Sequence, residues 1–276
     1  MSIGHSAFIN ANGLRLHYTR TGGDKPPVVL AHGFSDQGLC WTPVAEQLAA
    51  DYDVIMVDAR GHGRSDGPEQ GYGSREQADD LAGVITGLGL KHPAVLGHSM
   101  GAATTLVLAG VYAELPGAIL LEDPPAWWVE SQPADSPVAS ERRARMFARI
   151  IELKRKTPEE LLAGQRSETP NWSEAELAPW VEAKLRFSFN ALNRTNVATI
   201  SWSTLLPQIR CPALLITADP ERGAIVTAEN ALALQRLAPQ TQVAHIPAAG
   251  HSIRRDQFTR YMEVVRSFLA KTMVSA

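Results

Sequence analysis

The sequence predicts an α/β fold: a mostly parallel, twisted sheet of about eight strands, with helices on both faces and a helical cap insertion. Three observations carry this reading. Short apolar runs alternate with helical stretches along most of the chain, and runs this continuously apolar suit parallel strands buried on both faces. An Asn12-Gly13 pair between two strand-like runs marks an antiparallel hairpin at the start. From about Ala126 to Pro207 the alternation stops, and no strand pattern is found.

Taken in order, Phe8-Ile9 and residues 14–18 flank the hairpin turn. The remaining strands are read at 27–30, 53–57, 94–96, 117–121, 213–217 and 241–246, with helices at 41–50, 74–88 and 227–237. Pro133, Pro137, Pro158, Pro170 and Pro179 cut the interval 126–207 into helical pieces. That interval holds Trp127, Trp128, Trp172, Trp180 and Trp202, five of the six tryptophans. It is expected to cap the C-terminal strand ends, where open α/β sheets bind ligands. The core is then 1–125 together with 208–276. Most of these rings should pack cap onto core, whereas Trp127 and Trp128, with His32, are candidates for lining a substrate pocket.

Composition narrows the partners. A chain of 276 residues, 45% apolar and 20% charged, can bury one large core. Its net charge of −3 provides no general attraction to nucleic acid or anionic lipid. Basic residues gather between Arg142 and Lys156, but Glu141 and Glu152 interrupt them, as on a solvated helix face. Cys40 and Cys211 are far apart and lack metal-ligand spacing, so neither a disulfide framework nor a metal site is expected. The Met1-Ser2-Ile3-Gly4-His5-Ser6 start lacks a signal-peptide pattern, and no apolar run reaches membrane length. The expectation is a cytoplasmic protein with a small-molecule substrate, no cofactor, and no nucleic-acid or membrane partner. Oligomeric state leaves no trace in the sequence.

The chemistry concentrates at Gly97-His98-Ser99-Met100-Gly101, between an apolar run and a small-residue helix. G-x-S-x-G in that setting is a nucleophile elbow, a turn so tight that it lifts the serine hydroxyl above the sheet. Serine needs a base. His251, in Gly250-His251 just after the last strand, can deliver an imidazole to the top of the sheet. His98 points away from the serine by elbow geometry, and His32 precedes Gly33-Phe34 after an early strand, where it would brace the loop. The N–H groups of Phe34 and Met100 are then the expected oxyanion donors.

Four motifs in order, His32-Gly33-Phe34, Asp58-Ala59-Arg60-Gly61-His62-Gly63-Arg64-Ser65-Asp66, Gly97-His98-Ser99-Met100-Gly101 and Gly250-His251, make the chain resemble the cap-bearing serine hydrolases of the α/β-hydrolase family. The resemblance spans nearly the whole length. It implies that the loop containing Arg60, His62, Arg64 and Asp66 is structural. It also implies a third, acidic triad member, and here the sequence departs from the usual pattern. Relatives mostly carry the acid after the strand that ends here at Thr217, where this chain offers Asp219 and Glu221, with Gly223 at one count of the usual place. A minority carry it one strand earlier, which points to Asp123. Asp123 is preferred, Asp219 is the alternative and Glu221 the third choice. The resemblance implies hydrolysis of a carboxylic ester or lactone, with carbon–carbon bond hydrolysis or perhydrolysis as the alternative. A ligand receptor that keeps the triad as a clamp is the non-enzymatic competitor.

Overall fold

The computed structural model describes residues 4–129, 137–193 and 200–273. Met1-Ser2-Ile3 and Pro133, used above, lie outside the described residues. The strands are β1 (His5–Ala11), β2 (Leu14–Arg20), β3 (Pro27–Ala31), β4 (Asp53–Val57), β5 (Ala94–His98), β6 (Ala118–Glu122), β7 (Ala213–Thr217) and β8 (Thr241–His245). They form one sheet in the order β1-β2-β4-β3-β5-β6-β7-β8. β2 pairs antiparallel with both of its neighbours, and every other pairing is parallel.

The helices are α1 (Thr42–Leu48), α2 (Ser74–Gly87), α3 (Met100–Val111), α4 (Pro137–Leu153), α5 (Pro158–Glu168), α6 (Glu174–Arg186), α7 (Trp202–Leu205), α8 (Ala228–Leu237), α9 (Ile253–Asp256) and α10 (Phe258–Thr272). Successive side chains of a strand point to opposite faces, so each central strand feeds two cores. Val29, Ile55, Val95, Ile119 and Leu215 pack with α2, α3 and α8 residues such as Leu81, Leu106 and Leu234. Val28, Val54, Leu96, Leu120 and Leu214 pack with α1, α9 and α10 residues such as Val44, Ile253 and Tyr261. Both faces are covered, which explains why these strands carry apolar residues without alternation.

Among the described residues of the interval 126–207 the regular elements are the helices α4 to α7 and short 3₁₀ turns, with no strand. Thr157 and Glu160 form a reciprocal capping box at the start of α5. α5 and α6 pack through Leu161, Trp180 and Val181. Two sequence readings shift here. The helix expected at 41–50 is a 3₁₀ turn over Gly38–Trp41 followed by α1, because Pro43 occupies the first helical turn. Lys154 leaves the solvated face assigned to it, since α4 ends at Leu153 and its ammonium donates to the carbonyls of Leu185 and Phe187.

Candidate active site

β5 runs into α3 through a single residue. Ser99 adopts φ +51° and ψ −114°, a left-handed conformation that costs free energy and survives only where packing enforces it. The enforcement is visible in its neighbours. A Cβ on Gly97 would lie 2.3 Å from the Gly101 carbonyl oxygen, and one on Gly101 would lie 2.1 Å from that of Ala31. Only glycine permits this approach of strand, turn and helix. Met100 opens α3, so its N–H belongs to the helix N-terminus, where amides have no carbonyl partner within the helix.

His251 follows β8 and reaches back over the sheet. Its Nε2 lies 3.0 Å from the Ser99 hydroxyl and its Nδ1 lies 2.6 Å from Asp123 Oδ2. A buried carboxylate accepts, so Nδ1 carries the proton and Nε2 presents its lone pair to the hydroxyl. Asp123 directly follows β6 at φ +42° and is fully buried. The amide of Ile225 donates to both its oxygens at 3.0 and 2.9 Å, and that of Val226 donates to Oδ1 at 2.9 Å. The loop after β7, where most relatives carry the acid, here supplies backbone donors to a carboxylate from the previous strand. Sequence reading does not find Ile225 and Val226, because only their main chain acts.

Asp219 stands elsewhere. Its Oδ2 accepts from the Ala248 amide at 2.7 Å, and its Oδ1 takes His245 Nε2 at 3.1 Å. It braces the segment leading to His251. Glu221 is exposed. The structure therefore brings Asp123 to His251 and leaves Asp219 and Glu221 outside.

Asp36 N–H donates to the Gly33 carbonyl at 3.1 Å, with Ser35 at φ +60°, so Phe34 lies in a tight turn beside the elbow. His32 is buried behind that turn, with Nδ1–H donating to the Gly33 carbonyl at 2.8 Å and Nε2 accepting from the Ala59 amide at 3.0 Å. Burial lowers its pKa and keeps it neutral for both bonds. It braces the loop, and a cavity of about 30 Å³ beside it, also lined by Asp58, Asp80 and Thr104, is sized for water rather than substrate. Trp128 packs against the core, and its indole N–H donates to the Asn230 carbonyl. Trp127 meets Trp202 at 6.0 Å between ring centroids. Through these contacts His32 and Trp128 pack structurally beside the site. Phe34 instead meets the rings of His62 and Phe187, which joins the cap to this loop.

A buried charge network, illegible in the sequence, surrounds the site. Lys184 of α6 donates to the Ser35 carbonyl, the Ser35 hydroxyl and Asp36. Arg255 donates to Glu176 of α6 and to Asp36, and Arg254 donates to Glu122. Burial works to raise the Asp36 carboxyl, but Arg255, Lys184 and Arg254 outweigh it and hold the group well below the usual carboxylate range.

A similar relay, Ser6 to His17 at 2.7 Å and His17 to Asp58 at 2.8 Å, runs from β1 through β2 to the residue after β4. There the serine sits in regular strand pairing opposite Thr19, and Asp58 also ties down the amides of Gly38 and Arg64. It clasps the loop around Arg60, whose guanidinium pairs with Asp80. The strained turn and helix N-terminus are what set Ser99 apart. Among the described residues no group of three His, Cys, Asp or Glu side chains could hold a metal ion, and no helix is long and apolar enough to cross a membrane.

Residues 28–264 match the sequence model described as the alpha/beta hydrolase family. The chain is 28% identical to the N-formylmaleamate deformylase of Pseudomonas putida over 274 residues, 96% of this chain and 97% of that protein. It is 28% identical to the 2-(acetamidomethylene)succinate hydrolase of Mesorhizobium japonicum over 258 residues, 91% of this chain and 90% of that one. Among solved structures, an N-formylmaleamic acid deformylase from Pseudomonas putida superposes with a TM-score of 0.78 at 26% identity, covering 95% of this chain and all of that one. A thermophilic esterase from Thermogutta terrifontis does so with a TM-score of 0.71 at 26% identity, covering 98% and 99%.

Proposed function

The chain is an enzyme of the alpha/beta hydrolase family, and from that premise we propose that it is a serine hydrolase cleaving the N-acyl bond of a small amide. The unbroken line Ser99–His251–Asp123 carries the mechanism. His251 Nε2 takes the hydroxyl proton as Ser99 Oγ attacks the acyl carbon. The carbonyl oxygen becomes an oxyanion held by the N–H groups of Phe34 and Met100. Asp123 stabilises the imidazolium, which then gives its proton to the departing nitrogen as the carbon–nitrogen bond breaks. Water, deprotonated by His251, releases the acid and restores the serine.

The bond class rests on the relatives. The two whose names appear above match over nearly their whole lengths, and both names describe an acylated nitrogen on a carboxylate-bearing skeleton, a formyl group in one and an acetamido group in the other. This moves the reading from the ester or lactone expected above to an amide. The ester remains a second reading, favoured by the likeness to the thermophilic esterase. A panel of N-formyl and N-acetyl amides of small carboxylates, p-nitrophenyl esters and lactones decides between them. Amide turnover with kcat/KM at or above that of the esters, lost in Ser99→Ala, is expected. Cleavage of esters or lactones alone would overturn the amide assignment.

A further inference from the structure

The triad reading leaves one buried histidine at the site without a task. His98, the residue before the nucleophile, is 4% exposed. Its Nε2 lies 2.9 Å from the backbone carbonyl of His251, so Nε2 carries the proton and donates it. The two imidazole rings lie 4.7 Å apart between centroids, tilted by 43°. On its other side the ring faces the oxyanion loop: a Cβ on Gly33 would fall 2.7 Å from His98 Nδ1 and 3.5 Å from Ser99 Cβ. That Nδ1 is buried and meets no hydrogen-bond partner. Its own backbone, at the end of β5, leads directly into the elbow.

We infer that His98 is a positioning residue that gauges the site, its Nε2–H tethering the base loop at the His251 carbonyl while its ring sets the distance to the oxyanion loop at Gly33. The inference rests on the reading of Ser99, His251 and Asp123 as a triad. The physical need is clear. His251 sits on the loop between β8 and the one-turn α9, and its side chain is held at Asp123 and at the Ser99 hydroxyl it must deprotonate. A base that swings about its Cα loses alignment with Ser99 even when Asp123 still holds one nitrogen, and an error of about 1 Å costs roughly a hundredfold. A bond to the main chain of the same residue removes that freedom. It also links base and nucleophile through a single side chain, so that the two move together.

The unpartnered Nδ1 favours a neutral His98. Protonation would place a second N–H against the Gly33 Cα, where no acceptor stands. Burial, then the Arg254 and His251 charges, lower its pKa well below the usual histidine range, against the weaker opposite pull of Asp36. These three groups face it together with Glu122, its partner in the β5–β6 register. Burial and these charges thus act in the same direction as the unpartnered Nδ1, toward a ring with one proton.

The test compares donors of different reach in the full chain. His98→Gln places an amide N–H near the position of Nε2, His98→Asn carries the same amide one methylene short, and His98→Phe keeps the ring without a donor. With the amide substrate of the panel above, or its preferred ester, kcat should fall about 10- to 100-fold in the Asn and Phe variants, with KM within about threefold. The acid limb of kcat/KM should move to lower pH in both, since a base held less firmly against Asp123 is a weaker base. His98→Gln should recover kcat to within about threefold of the parent and restore the limb. Asn and Phe variants that melt like the parent and keep kcat and pH profile unchanged would overturn the inference. So would a folded Gln variant no better than Asn. If Phe does not fold, the Gln and Asn pair decides alone. Ser99→Ala assayed alongside separates the two failures: turnover surviving there refutes the triad, whereas its loss with unimpaired His98 variants refutes only the positioning role.

Discussion

Replacing Asp123 by asparagine should nearly abolish turnover, and the structure shows how. The carboxylate receives four contacts from three donors: the Ile225 amide on both oxygens, the Val226 amide on Oδ1, and His251 Nδ1 on Oδ2. An amide has one accepting oxygen. Two main-chain N–H groups at the Oδ1 position demand that oxygen, so the NH₂ group takes the Oδ2 position and faces His251. It then donates to Nδ1, which moves the imidazole proton to Nε2. The nitrogen beside Ser99 becomes a donor and cannot remove the hydroxyl proton. The wrong tautomer costs serine proteases about four orders of magnitude in kcat, or roughly 5.5 kcal/mol of transition-state stabilisation. Asp219→Asn is the control of the same shape: its oxygen can keep the Ala248 amide, and the exposed His245 can change tautomer to accept from the NH₂ group. That variant should lose about tenfold at most, together with about 1 kcal/mol of stability. The assay is steady-state kcat and KM on the same substrate for both variants, with thermal melting to verify folding and a fluorophosphonate to count reactive serine. If Asp123→Asn keeps more than about one hundredth of parental kcat while folded, or if Asp219→Asn is the worse variant, the tautomer argument fails.

Ser99→Ala should lower kcat by about three orders of magnitude or more and leave the melting temperature close to the parent's, measured on the same substrate. His251→Gln should abolish activity and His32→Gln reduce it less; the reverse order would exchange base and brace. Stability should fall with acid: burial, then the neighbouring His32, push the His62 pKa down to about 3, and His32 and His98 are lowered as well. Because the unfolded chain binds more protons than the folded one below the ordinary histidine range, stability is fully present above about pH 6.5 and declines beneath it, with His62 alone contributing a loss of about 2 kcal/mol by pH 5. Melting temperatures between pH 7.5 and 5 check this, and His62→Asn, whose amide can still donate to the Arg60 carbonyl, should flatten the slope. Lys184→Met leaves the buried Asp36 short of a partner and should cost about 3 kcal/mol in a denaturant titration, the lower end for breaking a buried pair because Arg255 remains.

Much of the architecture was legible along the chain, because its signals are local. Two-sided burial makes each central strand a continuous apolar run, Asn12-Gly13 marks the hairpin, and steric exclusion at the elbow requires glycine at 97 and 101. The candidates Ser99, His251 and Asp123 could likewise be named from turn chemistry and strand ends. Choosing among Asp123, Asp219 and Glu221 was a different matter. Three carboxylates near strand ends look alike in sequence, and what separates them is where the amides of Ile225 and Val226 point.

By itself the sequence determined the fold class, the elbow and the loops that meet above the sheet, since backbone sterics and hydrophobic period act between near neighbours. Only the tertiary structure decided which groups share a site. The Asp123–His251 bond joins residues 128 positions apart, the His98 tether spans 153, and Arg255 to Asp36 spans 219. A hydrogen bond or buried charge pair over such separations leaves no periodic or local mark. It exists because the sheet order brings β3, β5, β6, β7 and β8 side by side, so that their C-terminal loops converge above one edge of the sheet.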